Sequence, residues 1–232
     1  MENKLTPPFT LLKQAWSLAI TQRNILSFLL LGAIPQLLSL IISALVAYFS
    51  KFDLLSNVQG WMIAGLILFG LLALVVISFL STWYTALLLK VYQATTEENL
   101  SALTTYFRPA KKVTIHLLMT YVTVGIFTSV GFLLLIIPGI IIAVRYMFAP
   151  MIAAVEDRAV KPIEESKRLV KGRFWKLVGR GIFLVFFYNI PLSVLQTIHP
   201  LFGTVWAVTS PIFGLYFFLV YRDFKNTAIV TT

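Results

Sequence analysis

The sequence has no cysteine and only two histidines, His116 and His199. It therefore cannot form a disulfide, a thiolate metal site or a cysteine nucleophile, and a histidine-rich metal centre is not expected either. Acidic residues are also scarce, with 9 Asp and Glu in 232 residues. Charged residues of both signs make up only 12% of the chain, against about 25% in an ordinary soluble domain. A water-soluble fold of this size would lack the polar surface needed to cover itself.

Sequence signatures of catalysis are missing as well. The chain contains no Gly-rich phosphate loop, no His-Glu-x-x-His motif and no Gly-x-Ser-x-Gly motif. It also offers no plausible pair of buried carboxylates for acid–base chemistry. We therefore predict that the protein is not an enzyme and that it uses no metal and no cofactor.

Long apolar runs dominate what is present, with 59% hydrophobic residues and a mean hydropathy of +0.88. A helix that crosses the hydrocarbon core needs about 20 apolar residues, because each residue adds 1.5 Å. The runs predict an all-α polytopic membrane protein, with one integral membrane domain over residues 1–232. We expect six transmembrane helices, at about 25–49, 61–87, 116–137, 139–155, 181–197 and 201–221.

The third and fourth spans are predicted to form a helical hairpin. Their combined apolar stretch, 113–155, is far too long for one crossing. The hairpin is expected to turn at Ile137, Pro138 and Gly139, since proline cannot continue a helix and glycine accepts a tight turn. This places Arg145 inside the fourth span.

Positive charge gives the predicted orientation. Of the 19 Lys and Arg residues, the six-span layout places 17 on the side of both termini, with Lys51 on the other side and Arg145 within a span. The positive-inside rule then predicts that the N-terminus and the C-terminus are both cytoplasmic. Orientation in a bilayer also explains the net charge of +10, so we predict no nucleic-acid partner.

Three amphipathic helices are predicted to lie in the cytoplasmic interface, at about 7–22, 99–108 and 162–178. In the last of them Glu164 precedes Arg168 at the favourable i,i+4 spacing. Its basic residues are expected to lie near anionic lipid headgroups.

The first of these helices is predicted to begin at Pro7 with Thr6 as its cap. Its apolar face is predicted to carry Phe9, Leu12, Trp16 and Ala19. The second is predicted to end at Pro109. Since two spans follow each amphipathic helix, the chain could be a threefold tandem repeat of one helix plus two spans, which is a hypothesis at this point.

A family resemblance is carried by the segment 137–179. It resembles the glycerophosphoryl diester phosphodiesterase membrane-domain family and the related YciC-type proteins of bacterial inner membranes. The resemblance implies a six-span fold in the bacterial cytoplasmic membrane, without an established biochemical activity. The soluble phosphodiesterase domain of the fused members has no counterpart in this sequence, so no hydrolase activity is implied. The matching residues are Ile137, Pro138, Gly139, Arg145, Tyr146, Glu156, Ser166, Lys171, Gly172 and Trp175.

Seven residues of this region are predicted lipid or ligand contacts. Arg145 leads them, because a cation inside a span costs about 2.5–3.5 kcal/mol and should face the bundle or a wet cavity. It could bind a phosphate or carboxylate, or pair with backbone carbonyls, Asn189 or Gln196. The full set is Arg145, Tyr146, Glu156, Ser166, Arg168, Lys171 and Trp175.

Two charged groups near the inner end of the fourth span admit two interpretations each. Glu156 and Asp157 could relay protons or hold a cation, or they could pair with Arg158 in a short turn. The basic cluster from Arg158 to Arg180 could be a specific headgroup site or docking surface, or it could reflect positive-inside retention alone.

Two function classes remain. The first is a helper or scaffold in envelope or lipid homeostasis, with membrane lipid, anionic phospholipid above all, and a membrane protein as partners. The second is a transporter or permease-like component with a substrate site near Arg145, for which Pro35 and Pro191 would mark broken helices rather than packing kinks. The scarcity of charged residues within the spans favours the first class.

Overall fold

The computed structural model describes residues 5–49, 60–156 and 160–229, and every regular element in these ranges is helical. This confirms the predicted all-α class. A 3-10 turn, Leu103–Tyr106, precedes α4, and a π-helical segment, Val185–Asn189, joins α8 to α9. The α-helices are α1 (Pro8–Ile20), α2 (Gln22–Phe49), α3 (Gly60–Thr96), α4 (Phe107–Leu134), α5 (Ile136–Arg145), α6 (Ala149–Val155), α7 (Pro162–Val170), α8 (Phe174–Leu184), α9 (Ile190–Ile198) and α10 (Pro200–Ile229).

The described residues contain five helical stretches that are long and apolar enough to cross a membrane. They coincide with the first five predicted spans, and they make the chain a multi-pass membrane protein. The sixth predicted span, 201–221, falls within α10, where several side chains lie outside the described set, and it stays a prediction. The five stretches are Asn24–Ala44, Ile67–Thr96, Leu103–Leu134, Ile136–Val155 and Phe174–Leu195.

The hairpin between the third and fourth spans turns earlier than predicted. The break is at Leu135, whose backbone is extended (φ −169°, ψ 153°), and Pro138 and Gly139 lie in the first turn of α5. Proline is tolerated there because the first helical N–H groups have no intrahelical partner. A Cβ on Gly139 would lie 2.5 Å from the Phe132 ring. Gly139 therefore allows α4 and α5 to approach closely and does not form the turn.

The predicted interfacial helix at 99–108 was wrong. Its place is taken by the 3-10 turn Leu103–Tyr106, which leads directly into α4, so Pro109 lies in the first turn of α4 and ends nothing. The helix predicted at 162–178 is interrupted. The chain leaves α7 after Val170, and Gly172 has φ +75°, a left-handed conformation that favours glycine. Helix α8 then runs on into the fifth span.

The N-terminal helix was predicted in the right place but with the wrong cap. Pro7 is the residue before α1, while the Thr6 hydroxyl donates a hydrogen bond of 2.8 Å to Asp223 Oδ1 on α10. Phe9 and Trp16 are exposed, by 64% and 45%. The side chains that α1 buries are Leu11, Ala15 and Ala19.

The three proposed repeat units also begin differently. Their first elements are a helix of 13 residues, a 3-10 turn of 4 residues and a helix of 9 residues. The threefold repeat therefore stays a hypothesis.

The packed core lies at the ends of the helices that carry the cations. Phe28 near the start of α2 stacks on Tyr92 near the end of α3, with ring centroids 6.0 Å apart, and Tyr92 contacts Phe218 of α10 at 6.1 Å. Helix α10 is the centre of this core, with Tyr216, Tyr221, Phe218 and Phe224 fully buried.

The opposite halves of α2 and α3 are almost unpacked. Leu37 and Leu40 of α2 are 59% and 62% exposed, and Leu68 and Phe69 of α3 are 69% and 70% exposed. Such surfaces are stable only where hydrocarbon replaces water. The fold is therefore a tight cluster at one membrane side, from which apolar helices extend.

Candidate functional site

A basic pocket of about 780 Å³ opens between the end of α5, α7 and the start of α8. Four cations line it, whereas Glu164 is the one carboxylate among its lining residues. We call it the basic pocket throughout. Its lining residues are Ile141, Arg145, Glu164, Lys167, Arg168, Val170, Lys171, Gly172, Phe174 and Trp175.

Two local features of the chain build this pocket. The fully buried Ser166 hydroxyl donates a hydrogen bond of 2.8 Å to the Arg145 carbonyl, which fixes α7 against the end of α5. The left-handed Gly172 then forms the turn between α7 and α8. Lys171 and Trp175 therefore line the same pocket from either side of the turn.

Arg145 lies within the fourth span, Ile136–Val155, as the sequence predicted. It is the last residue of α5 and its side chain is exposed, rather than enclosed in the bundle. Among the described residues its guanidinium makes no hydrogen bond or ion pair, with Asn189 or any other, and the Gln196 side chain lies outside the described set. An exposed guanidinium without an internal partner is available to an external anion.

Trp175 gives the basic pocket an apolar wall. Its side chain is 80% exposed, and its ring meets Phe174 edge to face at 5.3 Å. Ile141 and Val170 continue the apolar surface. The pocket therefore combines cations with an apolar lining, which suits an amphiphile with an anionic head.

A second pocket, of about 530 Å³, is lined by α4 and the start of α7 and is called the lateral pocket here. It shares Glu164 and Lys167 with the basic pocket. The Lys167 ammonium stands 5.4 Å from the centroid of the buried Tyr146 ring. Tyr146 therefore supports Lys167 at the boundary of the two pockets and does not line the basic pocket itself. The lateral pocket is lined by His116, Met119, Thr120, Thr123, Phe127, Tyr146, Val160, Lys161, Pro162, Ile163, Glu164 and Lys167.

The carboxylates of α7 pair differently from the prediction. Arg168 contacts Glu165 at 2.7 Å, whereas Glu164 contacts Lys161 at 3.3 Å. Both pairs have i,i+3 spacing, so the predicted Glu164 to Arg168 pair was wrong. The charge of Arg168 is compensated by Glu165, which does not line the pocket. Arg145, Lys167 and Lys171 therefore supply most of the free positive charge of the basic pocket.

The basic cluster divides into inward and outward residues. Arg173 donates hydrogen bonds to Thr227 Oγ1 at 2.6 Å and to the Phe224 carbonyl at 3.2 Å. Arg180 is 5% exposed and pairs with Asp223 at 2.9 Å. These two arginines hold α8 to α10 and are not available to lipid.

Glu156 lies apart from both pockets. It accepts a hydrogen bond of 2.6 Å from the Tyr221 hydroxyl and another from the Lys225 ammonium, both on α10. Its ion-pair partner among the described residues is therefore Lys225, while Asp157 and Arg158 lie outside those residues. Burial raises the pKa of the Glu156 carboxyl, but the contacts with Lys225 and Tyr221 outweigh burial, and the net pKa lies below 4.5.

This lowered pKa predicts an acid-sensitive contact. A carboxyl whose folded pKa is depressed stabilises the fold above its unfolded pKa, and this stabilisation is lost as pH falls through the folded value. At pH 7 we expect Glu156→Gln to lower the free energy of unfolding by about 0.5–1 kcal/mol. The difference from wild type should shrink below pH 4.5. Unfolding by SDS in mixed micelles at pH 7 and pH 4 measures this, and a difference that does not change with pH would contradict it.

Sequence reasoning missed the two other charged residues of the basic pocket, Lys167 and Glu164, as site residues. Lys167 lies four residues before Lys171, so the i,i+4 spacing was the signal that could have found it. Glu164 was considered only as an ion-pair partner.

Within the described residues no three His, Cys, Asp or Glu side chains gather as a metal site would require.

Comparison with known proteins found no relative of this chain. No protein-family model, curated protein or solved structure matches the chain. The resemblance of 137–179 to the phosphodiesterase membrane-domain family is therefore still a prediction.

Proposed function

We propose that this chain is a non-enzymatic protein of the bacterial cytoplasmic membrane that binds anionic phospholipid in the basic pocket. It acts as a helper or scaffold in envelope or lipid homeostasis, with both termini in the cytoplasm. The single observation that carries the proposal is the basic pocket itself, because Arg145, Lys167 and Lys171 converge there beside an exposed tryptophan.

The composition of the pocket fits a phospholipid headgroup and the upper part of its acyl chains. Guanidinium and ammonium groups bind phosphate oxygens through charge-assisted hydrogen bonds. Trp175 and Ile141 offer an apolar surface next to those cations. Tryptophan side chains favour the membrane interface, where lipid phosphates lie.

Position supports the same proposal. Helix α7 carries Glu164, Glu165, Lys167 and Arg168 and buries Ser166, Leu169 and Val170, as expected of an interfacial helix. The cation-rich ends of the helices pack together around α10, which favours placing them in one compartment. The bacterial membrane assignment rests on the family resemblance.

The transporter alternative has less support. Its predicted break near Pro191 is only a π-helical interruption, Val185–Asn189, in a stretch that stays helical from Phe174 to Ile198. The basic pocket is lined by α5, α7 and the start of α8, and no residue of the interruption contributes to it. A path through the membrane would need the pocket and the interruption to meet.

Removing two pocket charges tests the proposal. We expect the double substitution Arg145→Gln with Lys171→Gln to weaken binding of phosphatidylglycerol by about 2 kcal/mol, since each charge near an anionic lipid contributes about 1 kcal/mol. This corresponds to a roughly 30-fold higher dissociation constant. Native mass spectrometry of the detergent-purified chain, titrated with phosphatidylglycerol, measures it.

A matched control is the double substitution Arg108→Gln with Lys111→Gln. Both residues are exposed on the first turns of α4, and the change in net charge is the same. We expect this variant to bind like the wild type. If both variants lose the same affinity, the attraction is nonspecific and the proposed site is wrong.

A further inference from the structure

The two pockets adjoin each other and form one divided surface. The basic pocket and the lateral pocket share the side chains of Glu164 and Lys167, so the two spaces are separated by side chains and not by a helix. Lys167 faces both, with its ammonium held over the Tyr146 ring. A ligand with two anionic groups could therefore place one in each pocket and share Lys167 between them.

The lateral pocket is too weakly charged to hold an anion by itself. Its cations are Lys161 and Lys167, and Lys161 is engaged by Glu164 at 3.3 Å. His116, Thr120 and Thr123 add hydrogen-bonding groups without a fixed charge. An anion binds more readily in such a pocket when it is covalently linked to an anion already bound in the basic pocket. The second binding event is then intramolecular.

From this we infer that the preferred ligand is a phospholipid with two phosphates, one held in the basic pocket by Arg145 and Lys171 and the other in the lateral pocket by Lys161. The inference rests on the proposed function and names the lipid class of that site. Apolar residues in both pockets, Ile141 and Trp175 in the basic pocket and Phe127 in the lateral pocket, provide surface for acyl chains.

A competition between two lipids tests the inference. Diphosphatidylglycerol and phosphatidylglycerol are titrated at equal phosphate concentration against the full chain in detergent, and bound lipid is counted by native mass spectrometry. We expect diphosphatidylglycerol to bind about ten-fold more tightly or better. Equal affinity per phosphate would overturn the inference while leaving the proposed function intact. If neither lipid binds, the inference and the proposed function are both wrong.

Two variants of the shared wall sharpen this test. Glu164→Gln frees Lys161 and removes the carboxylate from both pockets, so it should raise affinity for diphosphatidylglycerol more than for phosphatidylglycerol. Adding Lys161→Gln restores the net charge of the wild type but removes the cation that lines the lateral pocket alone. The double variant should lose the preference for diphosphatidylglycerol and retain phosphatidylglycerol binding. An unchanged preference in the double variant would overturn the inference.

A soluble competitor separates a lipid from a free phosphate compound. Inorganic phosphate in large excess should leave bound diphosphatidylglycerol in place, because it cannot use the apolar walls of the two pockets. Displacement of the lipid by inorganic phosphate would show that the site recognises phosphate alone, and it would overturn the assignment to a diphosphate lipid.

Discussion

Replacing Arg180 with alanine is expected to lower the free energy of unfolding by about 3–5 kcal/mol, because it leaves a carboxylate buried without its partner. Arg180 donates to Asp223 at 2.9 Å and to the Thr6 carbonyl at 2.6 Å, and its guanidinium lies 5.2 Å from the centroid of the Phe224 ring. The side chains of the ion pair are only 6% and 13% exposed. SDS titration in mixed micelles measures the loss.

The effect should extend to the N-terminal segment. Thr6 donates its backbone N–H and its hydroxyl to Asp223, so one carboxylate joins α8, α10 and the residues before α1. Limited proteolysis should therefore cut the segment before α1 faster in Arg180→Ala than in wild type.

Lys176→Ala is the matched control for Arg180→Ala. It removes a long cationic side chain from the same helix, α8, at an exposed position. It should cost less than about 0.5 kcal/mol, as surface substitutions usually do. If Arg180→Ala were as stable as Lys176→Ala, the buried pair would contribute nothing to the fold.

The contacts of Asp223 with Arg180 and Thr6 could not be predicted from the sequence. Thr6 and Asp223 are 217 positions apart, and no periodicity or motif connects them. The spans, in contrast, follow from a property that each stretch carries alone, since about 20 apolar residues suffice to cross the hydrocarbon core. That is why the first five spans were found and the contacts around α10 were not.

Boundaries were wrong where packing, rather than local composition, decides them. Pro138 and Gly139 have the sequence character of a turn, yet Gly139 is used for close approach to Phe132 inside the hairpin. Pro109 looks like a helix end and lies in a first turn, where proline is equally acceptable. A proline or glycine alone does not distinguish these uses.

Four of the seven predicted lipid or ligand contacts lie together in the structure. Arg145, Arg168, Lys171 and Trp175 all line the basic pocket, since α5 contacts both α7 and α8. The remaining three predicted contacts have other places. Ser166 fixes α7 by its bond to the Arg145 carbonyl, Tyr146 lines the lateral pocket, and Glu156 binds α10.

Packing at one end of the bundle has a consequence for tolerance to substitution. Near the cation-rich end, helices touch through small residues and buried rings, whereas the far halves of α2 and α3 meet few side chains of the described chain. Identical substitutions should therefore have opposite effects at the two ends. Glycine provides the cleanest comparison, since adding one methyl group tests space directly.

Gly32→Ala is expected to destabilise the protein by at least about 1–3 kcal/mol, the usual range for overpacking. A Cβ at Gly32 would lie 2.2 Å from the backbone oxygen of Val208 on α10, and backbone cannot rotate away as a side chain can. At Gly70, on the exposed half of α3, a Cβ would meet nothing within 4 Å. There alanine should stabilise the helix by up to about 1 kcal/mol. At Gly214 the nearest atom is the Tyr92 hydroxyl, the end of a side chain, so Gly214→Ala should fall between the two. Unfolding of the three variants in SDS gives the order, and equal stability of Gly32→Ala and Gly70→Ala would mean that α2 and α10 do not pack as closely as described.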